Sequence, residues 1–65
     1  MNELVIILGG HNRLYGNNRL YYKTNQTTRK DALCEFFDVC DKIGINTDEC
    51  LIEDYILRRN GEDID

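Results

Sequence analysis

This 65-residue chain has no proline, no tryptophan, no CxxC pair and a single histidine. Cys34, Cys40 and Cys50 lack the paired spacing of zinc knuckles and dithiol redox sites. An odd count does not close into the disulfide framework of a small secreted domain either. On a helix, Cys34 and Cys40 would project about 120° apart and could not bridge. Reduced thiols and a cytoplasmic location are expected. The apolar run Leu4-Val5-Ile6-Ile7-Leu8 is too short to cross a bilayer. It follows Glu3 and not a basic segment, so it does not read as a signal peptide.

Catalytic motifs are equally scarce. His11, in Gly9-Gly10-His11-Asn12, has no carboxylate or cysteine at a fixed spacing, which suits a turn better than a general base or a metal ligand. The flanking glycines form neither GxGxxG nor a P-loop. Cys34 has acidic and not basic neighbours in Glu35 and Asp38, so nothing adjacent favours a thiolate, which argues against a nucleophile. No enzyme activity, cofactor or metal is expected.

At 7.6 kDa the chain allows one small domain, residues 1–65, and excludes a nucleotide-binding α/β fold or a TIM barrel. Apolar residues make up 42%, enough for a folded core. The charge is divided along the chain. Residues 1–30 carry five basic residues against Glu3 alone, a balance of +4. Residues 31–65 carry three against eleven acids, a balance of −8. Such a dipolar surface steers encounters with charged partners.

Residues 4–8 read as a fully buried strand, and Gly9-Gly10 as a kink or bulge at its end. Arg13-Leu14-Tyr15 and Arg19-Leu20-Tyr21 echo each other across Gly16-Asn17-Asn18, as two hairpin arms would. Thr28 can cap a helix, with Asp31 in the position of a capping-box acid. Ala32, Leu33, Phe36, Phe37, Cys40 and Ile43 then follow the helical period up to Gly44, a C-terminal glycine.

Residues 47–59 point two ways. Leu51, Ile52, Tyr55 and Ile56 have helical spacing, with Thr47 as a cap and Asn60-Gly61 as a close. Against that, a two-stranded hairpin alone is marginal. A strand over Cys50–Leu57 would place residues 4–8 in the middle of a sheet. The expected fold is α+β, a β-hairpin, one amphipathic helix and a C-terminal strand (ββαβ). The alternative is a hairpin plus two helices (ββαα). In the first form one sheet face lies open, and a homodimer or a bound partner is expected to cover it.

Asp31, Glu35, Asp38 and Asp41 fall within an arc of about 120° opposite the apolar face, with Lys42 as the basic residue inside it. Asp31 to Glu35 rises about 6 Å and Asp31 to Asp38 about 10 Å. DNA phosphates repeat on a similar scale of several ångström, so the row suits a basic groove. The bland alternative is a solvated helix face, although like charges at i, i+4 cost helix stability. Arg13, Tyr15, Arg19, Tyr21, Tyr22 and Lys23 interleave basic and aromatic side chains, which suits a protein interface, stacked single-stranded bases or cross-strand packing.

The order of pieces resembles one domain of the DNA-mimicking antirestriction proteins of phages and conjugative elements. Gly10-His11-Asn12 to Tyr22, Lys42-Ile43-Gly44-Ile45-Asn46 and Ile52-Glu53-Asp54-Tyr55 carry the likeness over about fifty residues. That family is longer and more acidic, and Tyr22 stands where it has a Trp. The resemblance implies an inhibitor that occupies a DNA groove with surface carboxylates.

The expected function is a small acidic interaction protein of phage or mobile-element type. It would inhibit a host nucleic-acid-handling or defence enzyme by protein–protein binding. Asp31, Glu35, Asp38 and Asp41 would carry the contact, with Arg13, Tyr15, Arg19 and Tyr21 as a second surface. The alternatives are a nucleic-acid-binding module that uses the hairpin and a structural accessory dimer; with a net charge of −4, direct nucleic-acid contact is the least favoured.

Overall fold

The computed structural model describes residues 1–10 and 18–64. Strand β1 (Asn2–Leu8) pairs antiparallel with β2 (Arg19–Thr24) on one edge and with β3 (Ile52–Arg59) on the other. A short β4 (Glu62–Asp63) completes the order β2-β1-β3-β4. The apolar run therefore lies in the interior of the sheet. Because β2 and β3 are both antiparallel to β1, they run parallel to each other. A parallel pair needs a crossover connection, and helix α1 (Arg29–Ile43) supplies it across one sheet face.

The helix has the expected bounds. Thr28 is the N-cap, and its hydroxyl accepts the Asp31 amide at 3.3 Å. Gly44 closes the other end with φ 83°, in the left-handed region where a side chain would be strained. The core then assembles by period. Leu4, Ile6 and Leu8 alternate toward the helix, as β geometry requires, and Ala32, Phe36 and Cys40 meet them at i, i+4 and i+8. Leu57 and Cys50 complete it. Burying a side chain such as Leu4, Ile6 or Leu57 contributes about 1.5–3 kcal/mol. Tyr22 meets Phe36 edge-on at 5.6 Å.

The helix's apolar face is narrower than its sequence period implies. Phe37 is 38% exposed and Ile43 64%. Phe37 lies toward the flank of the helix. Ile43 points the same way as Ala32 but sits in the last turn, where its side chain is left outside the buried core.

Sequence position 47–59 resolves into two elements. A 3₁₀ turn (Thr47–Glu49) is capped by Asn46 and not by Thr47, the Asn46 side chain accepting from the Asp48 amide at 3.1 Å. Helical geometry stops at Leu51, whose φ is 51°. The Gly9 amide donates to the Leu51 carbonyl at 2.8 Å, and β3 begins at Ile52 rather than Cys50. The register shifts between Ile7 and Leu8, which face Asp54 and Ile52 respectively, so Glu53 is an extra residue on β3. A Cβ on Gly9 would lie 2.9 Å from Glu53 Cγ, so Gly9 makes room for that bulge. Asn60 and Gly61, at φ 54° and 83°, do not end a helix. They join β3 to β4 as a two-residue turn of the type that requires positive φ at both positions.

The expected pairing of hairpin arms falls partly outside the described residues, because Arg13-Leu14-Tyr15 lies there. Arg19-Leu20-Tyr21 pairs with Ile7, Ile6 and Val5 of β1.

The sheet face away from the helix is built to meet water, as an antiparallel sheet can be. Tyr21, Val5 and Ile56 form an apolar row across three strands. Beside it Lys23, Glu3, Arg58 and Asp63 alternate in sign across all four. Opposite charges directly across strands are the favourable arrangement, and Arg58 Nε–H donates to Asp63 Oδ1 at 2.9 Å. Val5, in the middle of that row, is only 1% exposed.

Candidate partner-binding surface

The outer helix face presents Asp31, Asp38 and Asp41, all exposed. None of the three has an ion-pair partner within 4 Å among the described residues, where the ion pair found is Arg58–Asp63. Cys34 lies exposed on the same side, while Cys40 and Cys50 are buried. Desolvation, and then the neighbouring Cys50, push the Cys40 thiol above its ordinary value.

Glu35 behaves differently from the other three acids. It is half-buried, and the Thr24 hydroxyl donates to its Oε2. Thr24 is 2% exposed and its oxygen also accepts the Gln26 amide at 3.1 Å, so both its donor and its acceptor are used. Burial first, and then the Glu35 charge, raise the pKa of the Tyr22 phenol beside it. Glu35 thus docks the helix onto β2, and the ridge open to a partner is Asp31, Asp38 and Asp41.

The second expected contact group lies on the other side of the molecule. Tyr21, 58% exposed, stands on the open sheet face with Arg19 and Lys23 two residues to either side. Arg13 and Tyr15 fall outside the described residues. The acidic ridge and the basic–aromatic strand therefore face opposite directions, and one flat partner surface cannot touch both.

A feature that the sequence period hid lies at the helix C-terminus. Phe37, Asp41, Gly44, Ile45, Asn46 and Thr47 line an open recess there. Phe37 and Asp41 are four apart and so adjacent on the helix surface. That spacing is the sequence signal for the recess, and the coincidence of Phe37 with the apolar helical period obscures it.

Among the described residues, no group of three His, Cys, Asp or Glu side chains could hold a metal ion. No described helix is long and apolar enough to cross a membrane. Compared with known protein families, curated proteins and solved structures, the chain finds no match in any of the three. What is defined is a class of architecture: an α+β domain with a four-stranded antiparallel sheet and one helix.

Proposed function

We propose that the chain is a small interaction protein that binds the basic groove of a nucleic-acid-handling protein through its helix, and so keeps nucleic acid out. The observation that carries this reading is the exposed set Asp31, Asp38 and Asp41, without an ion-pair partner among the described residues, on the outward face of one capped helix. A helix anchored along its other face holds these charges at fixed separations. Their electrostatic attraction to a basic groove is strengthened wherever contact excludes water. The resemblance to antirestriction domains points to a phage or mobile-element origin and a host defence enzyme as target.

Capture from a bacterial lysate tests it. The native chain is expected to retain a nucleic-acid-binding protein that elutes with salt. The variant Asp31→Asn/Asp38→Lys/Asp41→Lys, checked for unchanged helicity, is expected to lose it. Equal retention by that variant would rule out the carboxylate ridge.

One observation favours a second reading. Arg19, Tyr21 and Lys23 share one face of β2, an arrangement that suits stacking on single-stranded bases with phosphate contacts. Fluorescence titration with a single-stranded oligonucleotide at low salt decides it. Binding that weakens with salt supports this reading, and absence of binding removes it.

A further inference from the structure

We propose that the recess at the helix C-terminus is an anchor pocket for one arginine side chain of the partner. This rests on the reading of the helix face as a partner-binding surface, and it names the group that face grips.

The chemistry of the lining selects the occupant. Phe37 and Ile45 give the recess an apolar wall, and Asp41 places a carboxylate at its edge. None of the six lining residues is basic. The recess also lies at the C-terminal end of α1, the end that carries the negative half of the helix dipole, where cations are stabilised. Asp48 lies just beyond, in the 3₁₀ turn. Aromatic ring, aliphatic wall, carboxylate and helix C-terminus all favour a cation with an apolar stem.

Arginine fits this set better than lysine. Its planar guanidinium stacks on a ring and bonds a carboxylate through two N–H groups, whereas an ammonium is a compact, strongly hydrated charge. The Phe37 ring rests at 50° to Phe36 with centroids 6.0 Å apart, so it is supported from below. Being 38% exposed, it still has open area for a partner. Phe37 therefore packs against Phe36 on one side and offers the rest of its ring beside the recess. Asp41 belongs to both the ridge and the recess, so an arginine seated there would align the rest of a basic surface with Asp38 and Asp31.

Amide NMR shifts of the whole chain, titrated with two peptides of equal charge, test the proposal. One peptide carries three arginines spaced by glycine, and the other carries lysines at the same positions. The arginine peptide is expected to shift the amides of Phe37, Gly44, Ile45 and Asn46. Phe37→Ala is expected to weaken it about fivefold while leaving the lysine peptide nearly unchanged. Asp38→Lys is expected to weaken both peptides but to leave the arginine shifts centred on the recess. Equal shifts for both peptides, indifferent to Phe37→Ala, would overturn the anchor and leave the ridge standing. No shift with either peptide at low salt would overturn both. A chain that proves dimeric in light scattering, and monomeric as Phe37→Ala, would show a second copy in the recess and overturn the arginine assignment.

Discussion

The hydroxyl of Thr24, at the end of β2, donates to the carboxylate of Glu35 in the middle of the helix. This one bond joins the two layers at a point where the sequence shows only a polar residue and one acid among four. It also separates that acid from its neighbours, since Asp31, Asp38 and Asp41 remain exposed. Thr24→Val would leave a half-buried carboxylate without its donor and is expected to cost about 1–3 kcal/mol in urea unfolding. Partner capture should change little in that variant. A loss of capture with unchanged stability would place Thr24 and Glu35 in the interface instead.

Adjacent phenylalanines are expected to respond in opposite ways. Phe36 is in the closed core and meets Tyr22. Phe36→Ala should cost about 3–5 kcal/mol, which approaches the whole stability of a domain this small. Phe37→Ala should cost well under half of that. Urea melts of the two variants compare them directly, and equal losses would mean that the helix is rotated from the face described.

The helix ends carry separate, smaller contributions. Removing the cap by Thr28→Ala should cost about 1 kcal/mol. Gly44→Ala should cost about as much, because φ 83° strains any residue with a Cβ. The two sites lie at opposite ends of the helix, so the double variant should lose the sum of the two. Circular dichroism during thermal melts reads both losses, and no change at Gly44→Ala would contradict the left-handed close.

Alkaline pH should weaken the fold, with a defined sign. Tyr22 and Cys40 are both held above their ordinary values of 10.0 and 9.0, mainly by burial. Each is an acid whose neutral form the native state favours, so above those values the folded chain keeps protons that the unfolded chain has lost. Stability is therefore full below about pH 9 and falls as pH rises, first through Cys40 and then through Tyr22. Ultraviolet titration should show a late-ionising phenol in the native chain that is lost in urea and absent in Tyr22→Phe. A stability flat to pH 11 would contradict it.

Much of the fold was legible because its signals are local. Thr28, Gly44 and the period between them define α1, and five consecutive apolar residues mark an inner strand. The C-terminal segment forms the strand that sheet completion calls for, and its competing helical spacing has a traceable reason. The bulge at Glu53 resets the alternation of β3, so Ile52 and Tyr55 fall on the same face three residues apart. A strand with that spacing imitates a helix. Asn60-Gly61, which suits the close of the alternative helix, is a hairpin turn, and beyond it Ile64 N–H returns to the Leu57 carbonyl at 2.9 Å. On the outer helix face, the angle around the helix was readable from sequence. The reach of the sheet beneath it was not, and that decides the exposure of Ile43 and Phe37 and the capture of Glu35 by Thr24.

Competition with nucleic acid tests the central claim most directly. The protein captured from the lysate is titrated with labelled duplex DNA at increasing concentrations of the native chain. The apparent dissociation constant for DNA is expected to rise in proportion to the chain added, with the Asp31→Asn/Asp38→Lys/Asp41→Lys variant producing no rise. A stable ternary complex, with DNA affinity unchanged at saturating chain, would contradict occupation of the DNA groove by the helix.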